Sequence, residues 1–67
     1  MRTLQSTPYT IDNDDRVWFY QRDATRAARH QARRDGVTVA IYSHRGPVRW
    51  VNAKGQLVDA SGNVRGY

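Results

Sequence analysis

One segment, residues 24–35, constrains the fold of this chain more than any other, because alanines and arginines recur in it with the period of an α-helix. At about 100° per residue, the small residues fall on one side of the helix and the bases on the other. The small side is formed by Ala24, Ala27, Ala28, Gln31 and Ala32. The basic side is formed by Arg26, Arg29, His30, Arg33 and Arg34. The pattern predicts a helix that packs closely against a sheet through its alanines.

Apolar and aromatic runs on both sides of this helix predict the strands of that sheet. Residues 16–21 and 37–43 are rich in β-branched and aromatic side chains, which favour firm strands. After a turn marked by glycine and proline, residues 48–52 form a third predicted strand, and residues 57–59 a short fourth. Residues 9–11 indicate a short edge strand.

The ends of the helix and the inward side of the strands follow from the same pattern. Asp23 is the residue type of an N-cap, and Gly36 is suited to the left-handed conformation that ends a helix. Because side chains of a strand alternate between its two faces, one set of strand residues should lie beneath the alanines. The residues expected there are Phe19, Val37, Val39 and Ile41.

The predicted fold class is α+β, with a single helix on one face of a three- to four-stranded, mainly antiparallel sheet in the order βαββ. The short turn between residues 37–43 and 48–52 favours their antiparallel pairing. We expect a flexible N-terminus at residues 1–8, one domain at residues 9–62, and a tail or weak strand at residues 63–67.

Composition excludes several classes of protein. A chain of 67 residues with no cysteine and two histidines has no disulfide and lacks the usual ligands of a structural zinc site. No apolar run approaches the roughly 20 residues of a membrane-spanning helix, and the first ten residues do not have the pattern of a signal peptide. These observations favour a cytoplasmic protein without a membrane partner.

The charge is basic and is carried almost entirely by arginine. The formal net charge is +5, and Lys54 is the one lysine among 11 basic residues. Arginine binds phosphate and carboxylate groups through a planar fork of donors. The helix face of Arg26, Arg29, Arg33 and Arg34 therefore suits a phosphate backbone, although any amphipathic helix also needs a solvated polar side.

A second candidate surface is the face of the sheet turned away from the helix, where aromatic and basic residues are expected together. Aromatic rings interleaved with arginines are typical of a stacking platform for single-stranded nucleic acid and also of protein-binding hot spots. A homodimer or the chain's own ends are alternative covers for this face. The residues expected there are Arg16, Trp18, Tyr20, Arg22, Tyr42 and Arg49.

Catalytic and metal-binding arrangements are poorly supported. Ser43 and His44 are adjacent, so in a strand they point to opposite faces and cannot form a nucleophile–base pair. Asp12, Asp14 and Asp15 cluster, but they lack the glycine and glutamate spacing of a calcium loop and fit a solvated turn. The sequence predicts neither an enzyme nor a cofactor.

The order of the elements over residues 16–52, together with the small size and the alanine-rich helix, resembles small phage-encoded accessory proteins. These include some type I anti-CRISPR proteins and phage inhibitors of host RNA polymerase. The resemblance implies a viral or mobile-element protein that acts in the cytoplasm of a bacterial host.

Taken together, the sequence predicts a small basic binding protein that engages nucleic acid or a nucleoprotein complex through its arginine-rich helix face. One alternative is a protein-only inhibitor or adaptor that docks on an acidic protein surface. Another is a small structural subunit of a phage particle.

Overall fold

The computed structural model describes residues 8–66 and places one helix against a five-stranded antiparallel sheet. The elements in chain order are β1 (Thr10–Ile11), α1 (Gln21–Asp35), β2 (Val39–Ser43), β3 (Gly46–Val51), β4 (Leu57–Val58) and β5 (Val64–Gly66). The strands lie in the sheet in the order β1-β2-β3-β4-β5. The predicted α+β class is confirmed, and the sheet has five strands where three or four were expected.

Residues 16–21, predicted as the first firm strand, do not join the sheet, and this prediction was wrong. The edge position beside β2 belongs to Thr10–Ile11, the segment that the sequence indicated only as a short edge strand. The later segment meets the N-terminal one at an isolated antiparallel bridge between Tyr9 and Trp18. Because α1 begins at Gln21, the end of the predicted strand is already used by the helix.

Helix α1 ends at the predicted residue but begins before the predicted one. Gly36 ends it in the left-handed conformation, with φ of 68°, and donates its N–H to the Ala32 carbonyl at 2.8 Å. This is the usual role of glycine after a helix. At the other end, Tyr20 is the N-cap in place of Asp23, and its side chain makes no capping hydrogen bond. Asp23 lies in the first turn, where its negative charge complements the helix dipole.

Three alanines at four-residue intervals bring α1 close to the sheet. Ala24, Ala28 and Ala32 are completely buried, and they share one core with Val39 and Ile41, as predicted. Because an alanine side chain is one methyl group, the helix backbone lies near the strands and leaves little volume between them. Ile11 and Val51 complete the buried cluster, and the partly buried residues packed against it are Tyr9, Trp18, Ala27 and Leu57.

Two apolar residues predicted in this core lie outside it. Val37 is 46 % exposed because β2 begins only at Val39. Phe19 is 59 % exposed, whereas Trp18 packs against the core. Since neighbouring residues of an extended segment point in opposite directions, the inward position of Trp18 turns Phe19 towards solvent.

The face of the sheet away from α1 carries a continuous row of apolar side chains. The register puts Trp50 between Ala40 and Val58 on the neighbouring strands, and Val58 is paired with Val64. Ala40 and Val58 are buried within this row, while Val64 at the outer strand is 54 % exposed. Cross-strand contacts therefore cover the middle of this face without a second helix.

Arg49, predicted on that far face, lies on the helix side of the sheet, so this prediction was wrong. It is the register partner of Ile41, a core residue. It also stands two positions before Val51, which is completely buried in the same core. Burial of Val51 decides the alternation of β3, because residues two apart in a strand share a face.

Several predictions concern the chain ends and membrane association. The predicted flexible N-terminus, residues 1–8, lies outside the described residues except for Pro8. Within the expected tail at residues 63–67, Val64–Gly66 form β5. In the part of the chain that the structure describes, no helix combines the length and the apolar character needed to cross a membrane.

The burial of Ile41 and the exposure of Phe19 predict opposite sensitivities to substitution. Ile41→Val should lower the free energy of unfolding by about 0.5–1.5 kcal/mol, because it leaves a gap in a closely packed core. Phe19→Ala removes more atoms but should change stability by no more than about 0.5 kcal/mol, as is usual at exposed sites. Urea denaturation followed by circular dichroism measures both. A larger loss in Phe19→Ala than in Ile41→Val would contradict the observed facing of residues 18–19.

Candidate functional site

Four arginines follow one line along the solvent side of α1, and we call them the arginine stripe. The stripe comprises Arg22, Arg26, Arg29 and Arg33. Because successive members are three or four residues apart, they lie on the same side of an α-helix. At 1.5 Å per residue, the line is about 16 Å long. Arg22 belongs to it because α1 begins at Gln21. The prediction that Arg22 lies on a strand beside Trp18 was therefore wrong.

The C-terminal half of the stripe rests on the turn between β3 and β4. The Nε of Arg29 donates a hydrogen bond of 3.0 Å to the carbonyl of Gly55. Gly55 has a φ of 82°, and a methyl group on it would come within 2.5 Å of the Arg33 Nε. The left-handed backbone therefore favours a glycine here, and the absence of a side chain lets the Arg33 guanidinium lie over it.

The turn itself is held rigidly by Asn52. Its side-chain oxygen accepts the N–H groups of Lys54 at 3.0 Å and Gln56 at 2.9 Å. Its backbone carbonyl accepts the N–H of Gly55 at 2.8 Å. The turn thus gives Arg29 and Arg33 a fixed support, so less side-chain freedom remains to be lost when an anion binds.

The acids of the described chain form their ion pairs away from the stripe. Arg16 pairs with Asp14 at 2.8 Å, and Arg34 pairs with Asp35 at 3.0 Å. Within residues 8–66, no stripe arginine makes an ion pair with an aspartate. In this part of the molecule, the stripe arginines therefore remain without an ion-pair partner.

An open cleft of about 430 Å³ adjoins the stripe on one side of α1. It lies between the helix and residues 14–18, and Arg26 belongs to both the cleft and the stripe. Four of the residues predicted as binding residues from separate surfaces meet here, namely Arg16, Trp18, Arg26 and Arg34. The other residues that line the cleft are Asp14, Asp23, Ala27, His30 and Gln31.

Arg16 is fixed at the edge of the cleft by two contacts. Its guanidinium binds Asp14 through Nε and a terminal nitrogen, and it lies over the Trp18 ring at 5.1 Å from the ring centre. The hydrogen bonds from Arg16 lower the pKa of Asp14 to about 2. A cation over an aromatic face is attractive, so Arg16 covers the ring on which a ligand would stack.

Arg34 has a different orientation from the stripe. It shares an ion pair with its neighbour Asp35, and the hydrogen bond from Arg34 lowers the pKa of that carboxyl group. Both side chains are exposed, and exposed pairs of this kind contribute little to stability. Arg34 therefore adds to the cleft a positive charge that Asp35 partly neutralises. Because it follows Arg33 directly in the chain, it points to a different side of the helix.

Tyr42 has a structural contact that separates it from the other candidate residues. Its hydroxyl donates a hydrogen bond of 2.8 Å to Asp12, whose other carboxylate oxygen accepts the Ala40 N–H at 2.9 Å. The backbone carbonyl of Asp12 accepts a bond of 2.7 Å from Gln31 on α1. Asp12 thus joins β1, β2 and the helix, and the hydrogen bond to it raises the pKa of Tyr42.

Exposed aromatic rings precede the helix, and sequence reasoning identified only one of them as a site residue. Tyr20 was predicted as a binding residue and is 65 % exposed, whereas Phe19 was predicted in the core and is 59 % exposed. The predicted basic face also omitted Arg22. The sequence carries a signal for it, because Arg22 continues the helical spacing of Arg26 and Arg29.

The histidines and aspartates of the described residues are dispersed. Across residues 8–66, no three of their side chains lie close enough together to hold a metal ion. Of the clustered aspartates, Asp12 is bonded to Tyr42 and Asp14 to Arg16. His44 and Ser43 lie with Arg45 at a smaller hollow of about 250 Å³ near the β2–β3 turn.

No protein-family model, curated protein or solved structure matches the chain. Within residues 8–66, the surface presents a line of arginines without ion-pair partners, an adjoining cleft, and two exposed rings at the start of α1.

The contact between Arg16 and Asp14 predicts an acid-shifted titration. The carboxyl carbon of Asp14, followed by NMR, should titrate near a pKa of about 2. In Arg16→Gln the midpoint should return towards the ordinary aspartate value of 3.8, because the donating guanidinium is gone. Arg45→Gln removes the same charge at a distant turn and should leave the midpoint unchanged. An unshifted Asp14 in the unmodified protein would contradict the contact.

The hydrogen bond between Tyr42 and Asp12 predicts a loss of stability at high pH. Since the folded pKa of Tyr42 is raised above 10.0, its contribution is complete below that value and is lost as the pH rises through the folded pKa. Urea unfolding at a series of pH values should show a steeper alkaline loss in the unmodified protein than in Tyr42→Phe. Tyr20→Phe, at an exposed ring, should retain the steep loss. Equal slopes for the Tyr42→Phe and unmodified proteins would refute the role of this bond.

Proposed function

We propose that this protein is a non-enzymatic binding module that attaches to nucleic acid, alone or within a nucleoprotein complex, through the arginine stripe. The observation that carries the proposal is the charge arrangement of α1. Four arginines share one line, and the ion pairs described for residues 8–66 are made by other residues. A row of cations without acidic partners is suited to a polyanion.

The chemistry of the stripe favours phosphate as the group that it binds. A guanidinium donates two parallel hydrogen bonds to a phosphate, with charge assistance. Duplex DNA carries one negative charge per about 1.7 Å of its axis, so a stripe about 16 Å long faces several phosphates at once. The net charge of +5 adds a long-range attraction that speeds encounter with a polyanion.

The support of the stripe by the sheet strengthens this proposal. Arg29 and Arg33 are held against the β3–β4 turn, whereas Arg22 and Arg26 are exposed and make no described hydrogen bond to other protein groups. The first pair therefore contributes a preorganised charge, and the second pair is free to adapt to the phosphate positions. The cleft beside Arg26 is of mixed charge, since Asp14 and Asp23 line it together with Arg16 and Arg34.

Contacts of this kind predict attachment with little dependence on base sequence. Phosphate contacts position a protein on nucleic acid, whereas base edges carry sequence information. An acidic protein surface is the competing partner, because carboxylates also accept bonds from arginine. The two partners differ in the length of the polyanion, and therefore in how steeply binding falls with salt.

The stripe predicts a specific change in salt dependence. Arg22→Gln combined with Arg26→Gln should weaken binding to random-sequence duplex DNA and flatten the slope of log K against log salt by about 0.9 per lost contact. Fluorescence anisotropy at several salt concentrations measures both quantities. These two side chains make no described structural hydrogen bond, so the variant should fold normally.

A variant with the same loss of charge elsewhere provides the control. Arg45→Gln combined with Arg65→Gln removes two exposed arginines outside α1 and should change affinity much less. Equal weakening in both double variants would indicate that only net charge matters and would refute the stripe. Absence of binding to any nucleic acid by the unmodified protein would overturn the proposed function itself.

A further inference from the structure

We infer that the exposed rings of Phe19 and Tyr20, which we call the stacking step, stack with unpaired bases on the two sides of the segment that leads into the arginine stripe, so that the protein prefers single-stranded to duplex nucleic acid. This inference rests on the proposed function and names its substrate class. Among the aromatic side chains of residues 8–66, these two are the exposed ones, at 59 % and 65 %.

The other aromatic rings near the site are already engaged. Trp18 packs against the core, and Arg16 lies over its ring at 5.1 Å. The Tyr42 hydroxyl is bonded to Asp12 on the other face of the sheet. A base that stacks beside the stripe must therefore use Phe19 or Tyr20, because these rings have open faces.

The backbone on both sides of Phe19 is fixed by hydrogen bonds, so each of the two rings projects from a held segment. On one side, the Trp18 N–H donates to the Tyr9 carbonyl at 2.9 Å, and the Tyr9 N–H donates back at 2.6 Å. On the other, the Tyr20 carbonyl accepts the N–H groups of Asp23 at 3.1 Å and Ala24 at 3.2 Å. The rings are exposed without standing on a free loop.

The arginines that follow Phe19 and Tyr20 favour nucleic acid, rather than an apolar protein surface, as the partner of these rings. Tyr20 is the N-cap of α1, and Arg22 and Arg26 follow in its first two turns. Single-strand binding surfaces combine aromatic rings with cations that bind the backbone, and here the two rings directly precede the cations in the chain. In a duplex the bases are stacked on one another, so only the phosphates would engage, and the rings would add nothing.

A pair of matched variants separates stacking from simple apolar contact. Phe19→Leu with Tyr20→Leu keeps apolar side chains but removes the rings, whereas Phe19→Trp with Tyr20→Phe keeps the rings. Affinities for labelled single-stranded oligothymidine and for a duplex of the same length are measured by anisotropy at one salt concentration. The leucine variant should lose roughly 5- to 150-fold in single-strand affinity for each ring that stacks, with duplex affinity unchanged. The ring-retaining variant should bind both as the unmodified protein does.

NMR of the unmodified protein gives a second readout that does not depend on folding of a variant. The chain contains one phenylalanine, so its ring protons are a unique probe. Oligothymidine should shift them upfield through the ring current of a stacked base, and duplex should not.

The outcomes distinguish this inference from the proposed function. If the unmodified protein binds nucleic acid but the leucine variant keeps its single-strand affinity, the stacking step is overturned and the stripe stands. If the unmodified protein binds no nucleic acid, both are overturned.

Discussion

The close contact between the alanine face of α1 and the sheet is the constraint from which the rest of this structure follows. Ala24, Ala28 and Ala32 leave space only for the aliphatic side chains of the strands below them. A core this thin cannot take a phenylalanine or tyrosine ring between its layers. The rings therefore lie at the margin of the core, on the far face of the sheet, or in solvent.

Asp12 adds hydrogen bonds between elements that share only a thin apolar core. Its carboxylate accepts the Ala40 N–H and the Tyr42 hydroxyl, and its backbone carbonyl accepts the side chain of Gln31. These bonds fasten a two-residue edge strand to its neighbour and to the helix. Asn13, with φ of 57°, then reverses the chain, a backbone conformation that asparagine tolerates better than most residues. Of the clustered aspartates, Asp12 therefore has a structural role, because it connects β1, β2 and α1.

The packing of α1 on the sheet also places the charged residues in two separate groups. Aspartates pair with arginines at the rim of the cleft and at the end of α1, while the stripe lies opposite the alanines and has no acidic partner among the described residues. Arg29 and Gly55 connect the stripe to the sheet, so the surface proposed to bind nucleic acid is supported by the fold. The proposed stacking step at Phe19 and Tyr20 has the same origin, since the core has no room for it.

The sequence by itself determined the features that depend on local chemistry. Helical spacing of alanine and arginine identified the two sides of α1, Gly36 marked its end, and β-branched residues located Val39 and Ile41 in the core. These signals are reliable because each depends on residues within one or two turns of the chain. For the same reason, the sequence predicted that Arg26, Arg29, Arg33 and Arg34 share the basic side of the helix, and three of the four lie in the stripe.

Only the tertiary structure decided which segment pairs at the sheet edge and which way its neighbours face. Residues 16–21 have the composition of a strand, but the shorter Thr10–Ile11 pairs with β2 because Asp12 anchors it there. That choice turns Trp18 inward and Phe19 outward, and it lets the helix begin early enough to add Arg22 to the stripe. Two segments with similar strand propensity could pair at this edge of the sheet. Hydrogen bonds from Asp12 to residues 28 and 30 positions away decide which segment does so. Local sequence patterns contain no information on contacts of that separation.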